Sequence, residues 1–320
     1  MASKATHASL WLPGFEIDAP AYPDLFSSND EAAAPAADLS ADSGESATAD
    51  TAGDLPRPWR PATAQATQPT ADNPAITWPQ WTDSVLDGLE GQATKFKANI
   101  EAIAVLRAIE REGRSPTPDE RVALLRFTGW GGIPASFNLD GTDAAWKQRA
   151  RQLSEMLQPG EYESARASVN NSHYTEPFIV RWIWAALRRL GFEGGRILDP
   201  SSGIGHFLGC MPADIATRSR ITAVELDDLA GRILRALYGP VGVDVRIQGL
   251  EAATLADRSF DLVVSNVPFG NYQVSDGRNR PYSRFSIHNW FVGKALDLVR
   301  PGGLVCLITS AWFLDQRDDS

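Results

Sequence analysis

Apolar residues recur at helical spacing from about residue 92. Ile100, Ile103, Ala104, Leu106 and Ile109 share one face, and Gly113 is a stop signal. Thr-Pro-Asp-Glu at 117–120 reads as a capping box, with Thr117 as the cap, Pro118 in the first turn and Glu120 reaching back. Val122, Leu124, Leu125 and Phe127 continue that helix until the three glycines of FTGWGGIPASF (127–137) break it. A third helix is predicted over roughly 144–158, ending before Pro159 and Gly160. Beyond Asn171 the period changes. Short apolar runs at 196–199, 221–226, 245–248, 260–265 and 304–310 alternate with helical stretches near 206–213, 228–237 and 286–299. Strands alternating with helices predict an α/β fold with a parallel sheet, and such sheets bind ligands at the carboxyl ends of their strands.

Residues 1–80 lack either period and are rich in Ala, Pro, Ser, Thr and Asp. A segment this poor in apolar surface cannot offset its ordering entropy, so a disordered tail is expected. The organisation expected is therefore a tail over 1–80, a small helical region over 81–168 and a sheet domain over 169–320. The formal net charge of −10 argues against a nucleic-acid partner only until its distribution is read. The tail holds 11 acids against three basic residues, leaving −2 for the other 240 residues, so local basic loops can still face phosphate. No apolar run reaches the ~20 residues of a membrane helix, and no secretory signal opens the chain. Two cysteines and four scattered histidines offer no metal-ligand spacing and no disulfide framework, so a cytoplasmic setting is expected.

Three stretches carry candidate chemistry. DPSSGIGHF (199–207) follows the first strand. It is either a tight turn or a loop lying against a ligand, with Gly203 and Gly205 allowing close backbone approach. The third glycine of a dinucleotide fingerprint is absent, Leu208 standing in its place, and there is no P-loop. Asp199 would repel phosphate and favours a cationic or hydroxyl-bearing ligand. Glu225 ends the second strand, where nucleoside-binding sheets grip ribose hydroxyls. SNVPFG (265–270) ends the fourth strand. There Pro268 biases Val267 to an extended conformation, so the Val267 carbonyl and the Asn266 side-chain carbonyl can hold both protons of one –NH2 group. Phe269 supplies a face for a flat ring.

These stretches resemble S-adenosylmethionine-dependent N6-adenine DNA methyltransferases. DPSSGIGHF is similar to their first motif, NVPF to their catalytic tetrapeptide, and NNSHYTEPFIV (170–180) to the upstream motif over the cofactor's methionine end. The motif order is of the gamma type. Together with FTGWGGIPASF and KALDLVRPGGLVCLITS, the set resembles the methylase part of large helicase–methyltransferase proteins of phages and mobile elements, over about residues 92–318.

The resemblance implies a Rossmann-like class I methyltransferase sheet with S-adenosylmethionine as cofactor and no metal. It places Tyr174, Thr175, Asp199, Pro200, Gly203, Gly205 and Phe207 around the methionine part, Glu225 on the ribose and Glu251 at the adenine ring. Asn266, Val267, Pro268 and Phe269 would hold an adenine flipped out of duplex DNA. No strong general base is required for this transfer. Arg278, Arg280 and Arg284, just past the catalytic loop, either contact DNA phosphate or face solvent.

Two departures stand out: Val267 replaces a proline, and Ser201 and Ser202 replace the common Ala-Cys. The resemblance also implies seven strands and a DNA-recognition domain. Five strands are legible, so a truncated or split polypeptide is expected, with a recognition or helicase domain encoded downstream. The other functions open to these residues are methylation of RNA adenine or protein glutamine, and a non-catalytic cofactor-binding module.

Overall fold

The computed structural model describes residues 77–170, 174–270, 272–277 and 280–309. The tail expected over 1–80 lies outside the described residues up to residue 76. Residues 78–81 lie against the body of the fold. Trp78 Nε1 donates to the Leu208 carbonyl at 2.9 Å, Trp81 N–H to the Gly209 carbonyl at 3.0 Å, and the Tyr238 hydroxyl to the Pro79 carbonyl at 3.3 Å.

The helical layer comprises α1 (Gln92–Glu112), α2 (Pro118–Leu125), α3 (Ala144–Met156) and α4 (Pro159–Ala167), followed by α5 (Pro177–Arg189). The capping box at α2 is present: Thr117 N–H donates to Glu120 Oε2 at 2.8 Å and Glu120 N–H to Thr117 Oγ1 at 3.3 Å. Pro159 and Gly160 do end α3, but they also open α4. A proline in the first turn lacks only an N–H that a helix start leaves unpaired. Helix α5 was not predicted, because its residues read as a sequence motif. Its apolar residues at 180, 183, 184 and 187 form one buried face.

The sheet domain runs β1 (Arg196–Asp199), α6 (His206–Gly209), α7 (Ala213–Thr217), β2 (Arg220–Glu225), α8 (Asp228–Tyr238), β3 (Asp244–Ile247), β4 (Phe260–Asn266), α9 (Ile287–Leu298) and β5 (Val299–Ile308). The five strands are parallel, in the order β3-β2-β1-β4-β5. This is a Rossmann-like arrangement, as expected, and its order reverses between β1 and β4. Strand β5 starts five residues earlier than predicted. It passes Pro301, Gly302 and Gly303 through an irregularity in the β4 register, and proline is tolerated there because β5 is an edge strand.

Alternation along the strands builds two cores. Ile197, Ala223, Leu262 and Val264 face the layer that holds α1, α5 and α8, while Leu198, Val224 and Val263 face α9. At the amino end of the sheet, buried Asp261 accepts the Arg196 N–H at 2.7 Å and pairs with Arg300. Asp261→Ala leaves that guanidinium and that N–H without their acceptor, and we expect it to cost about 2–3 kcal/mol by urea denaturation, because Arg300 keeps partial access to water. Among the described residues no helix is long and apolar enough to cross a membrane.

Candidate functional site

Four strands end on one cavity of about 530 Å3. Pro200, Ser201, Ser202 and Gly203 enter it from β1, Glu225 from β2, Glu251 from the turn after β3, and Asn266 with Val267, Pro268 and Phe269 from β4. Tyr174 and Thr175, just before α5, and Phe207 on α6 complete that side. The location follows from topology. Crossovers leave β1 toward opposite sides, so the loops after β1 and β4 diverge and leave a crevice between them.

The loop after β1 is held by its own chain. Gly203 has φ +55° and its N–H donates to Glu225 Oε2 at 2.7 Å; the Gly205 N–H donates to the Ser202 carbonyl at 2.9 Å. The sequence assigned these glycines to approach of the backbone to a ligand, but both N–H groups are spent within the protein. Neither position has room for a side chain. A Cβ on Gly203 would lie 2.7 Å from the Tyr174 ring, and one on Gly205 2.6 Å from the Tyr238 ring. Gly205 does not line the cavity.

Asp199 does not line it either. It is fully buried beneath the loop, where Oδ1 accepts from Ser265 Oγ at 2.7 Å and Oδ2 has no hydrogen-bond partner among the described residues. Burial pushes its carboxyl up to about 7. Glu225 is also pushed up to about 7, by burial first and then by the neighbouring Asp227 charge, although Oε1 accepts the Asp227 N–H at 2.8 Å. Asp227 caps α8 through Ala230 N–H at 2.8 Å, and burial raises its pKa too.

These shifts set a pH dependence. Both groups keep their protons to higher pH when folded than when unfolded, where 3.8 and 4.5 are usual. Their stabilising effect is full below those values and is lost as pH rises through about 7. Without ligand the chain is expected to resist urea better at pH 6 than at pH 8, with the difference narrowing in Glu225→Gln.

His206 is the residue that sequence reasoning missed. It lines the cavity, stacks on Tyr174 with ring centroids 4.5 Å apart, and packs on Trp81 at 4.0 Å. Burial lowers its pKa to about 3. The only sequence signal was a polar residue at the helix start inside an otherwise apolar run. Of the arginines read beside the catalytic loop, Arg280 is paired with Asp257 at 2.7 Å and Asp297 at 3.6 Å, Arg284 is exposed, and Arg278 lies outside the described residues.

No family model matches the chain. It is 27% identical over 224 residues to Defense against restriction protein B of Escherichia phage P1, a match covering 70% of this chain and 8% of the phage protein. It is 36% identical over 86 residues to a malonyl-[acyl-carrier protein] O-methyltransferase of Methylococcus capsulatus, covering 27% of this chain and 31% of that protein. The chain thus spans less than a third of either relative's length. Among solved structures it is similar to the type I restriction-modification methyltransferase subunit from Streptococcus thermophilus, at 14% identity, with 73% of this chain and 55% of that one covered and a TM-score of 0.40.

Proposed function

We propose that the chain binds S-adenosylmethionine along the carboxyl ends of β1 and β2, and directs its methyl group to the N6 amine of an adenine extruded from DNA. The observation that carries this is that Gly203, Glu225 and the 266–269 stretch open on one cavity at the point where strand order reverses. The residues fit the cofactor: the Tyr174 ring covers Gly203 closely, and Asp199 keeps an orphaned oxygen beneath the loop.

Tyr174 and Thr175 hold the methionine part, with Asp199 beneath it. Glu225 has lone pairs left on both oxygens for ribose hydroxyls, and Glu251 meets the adenine ring. The cofactor supplies a methyl already activated by a sulfonium. The Asn266 side-chain carbonyl and the Val267 main-chain carbonyl accept the two amine protons, which aims the nitrogen lone pair at the methyl carbon. The Val267 N–H is tied to the Ile308 carbonyl at 3.1 Å and its side chain is buried, so the carbonyl is fixed without the missing proline. Phe269 stacks on the base. With the cofactor bound, the C–S bond would break as the C–N bond forms, and the amine would shed one proton to water. Positioning of an in-line attack carries most of the rate. Arg284 is exposed and free to meet phosphate. The likeness to a phage protein named for defence against restriction agrees with DNA as the substrate.

The test offers labelled S-adenosylmethionine with duplex DNA, RNA and protein in parallel, and hydrolyses the DNA for N6-methyladenine. Label found only in RNA or protein would refute the DNA assignment. Failure to bind S-adenosylhomocysteine would refute the cofactor.

A further inference from the structure

The 127–137 stretch, with its three glycines, has no task in methyl transfer as described. Yet Phe127, Gly129 and Trp130 line the same cavity as Gly203, Glu225 and Asn266. They come from the helical layer and not from the sheet. Trp130 is itself braced edge-on by Phe127 and Phe137, at ring distances of 6.1 and 5.4 Å.

One buried side chain sets their position. Asn99 on α1 has no exposed surface. Its Nδ2 donates to the Gly129 carbonyl at 2.6 Å, and its Oδ1 accepts the Thr128 N–H at 2.7 Å and the Thr128 hydroxyl at 3.2 Å. An amide among Phe96, Ala102 and Ile103 is costly unless its polar atoms are paired. Here all three bonds run to this one loop. A second tie sits beside it: Ser164 Oγ donates to Asp227 Oδ2 at 3.3 Å, and Ser164 also lines the cavity. Arg232 on α8 pairs with Glu110 on α1 and Glu161 on α4, pinning the layer to the helix that follows β2.

We propose, resting on the cofactor assignment above, that residues 127–130 form a second wall of the S-adenosylmethionine site and that Asn99 is the positioning residue that holds this wall. The helical layer is then part of the binding site. Loss of the Asn99 amide frees the wall while the β4 carbonyls stay in place, so ligand affinity falls and turnover at saturation does not.

The experiment is amide hydrogen exchange of the whole chain with and without S-adenosylhomocysteine, joined to calorimetric titration of Asn99→Ala. Exchange at 127–133 is expected to slow on binding together with the loop after β1. Asn99→Ala, which removes all three bonds to the loop, is expected to bind about tenfold more weakly, about 1.4 kcal/mol. Its thermal midpoint without ligand reads the structural cost separately. Binding that leaves exchange at 127–133 unchanged, or a folded Asn99→Ala of unaltered affinity, overturns the wall and leaves the cofactor assignment standing. If Asn99→Ala does not fold, exchange in the unmodified chain decides. If the unmodified chain binds nothing, the cofactor assignment fails first.

Discussion

Asn266→Ala is expected to lower methyl transfer to DNA by a factor of about 10^2–10^3 while leaving S-adenosylhomocysteine affinity within about twofold, because the lost acceptor acts on the developing charge and not on the bound cofactor. Asn266 ends β4 and lines the same cavity as Gly203 and Glu225. As the amine attacks, its nitrogen gains positive charge and its protons become stronger donors. The carbonyl that receives them is worth more in the transition state than before it. Alanine removes that carbonyl and leaves Val267 to act alone. The check is a single-turnover rate with saturating cofactor, paired with calorimetric titration. A parallel fall in rate and affinity would mean that the substitution had damaged the fold, and an unchanged rate would remove Asn266 from the chemistry.

Gly205→Ala is expected to cost about 3 kcal/mol of stability, combining roughly 1–2 kcal/mol of left-handed backbone strain with overpacking of similar size. Gly205 has φ +94°, and a Cβ there would lie 2.6 Å from Tyr238 and 2.9 Å from Leu234, both fully buried. Tyr238 cannot give way easily, since it also holds Pro79 through its hydroxyl. Gly160→Ala is the control: nothing lies within 4 Å of the added atom, and α4 tolerates alanine. Urea midpoints of the two variants should move apart, Gly205→Ala downward and Gly160→Ala level or slightly upward. A neutral Gly205→Ala would show that the position does have room for a side chain.

Strand and helix alternation, with acid, glycine and Asn-Pro signals at strand ends, was legible because period and turn chemistry are local. The five strands lie where the apolar runs place them, with β5 extended across Pro301 by its pairing with β4. Less legible were the elements whose signals point two ways. Pro159 and Gly160 mark an end and a start alike. The apolar residues of α5 sit inside a motif that drew attention to Tyr174 and Thr175 instead.

Local pattern therefore marked the candidate residues of the strand-end loops and put them at the carboxyl edge of a parallel sheet. Only tertiary structure decided where each sits and what it touches. Asp199 and Gly205 lie under the wall and not in it, because the loop after β1 closes its own N–H groups on Glu225 and Ser202. Trp130 reached the cavity through packing across a long sequence separation, and Asn99 holds the loop that carries it. The physical reason is the range of the forces: turn and strand preferences act between near neighbours, whereas desolvation and side-chain packing depend on whichever distant residues the fold brings into contact.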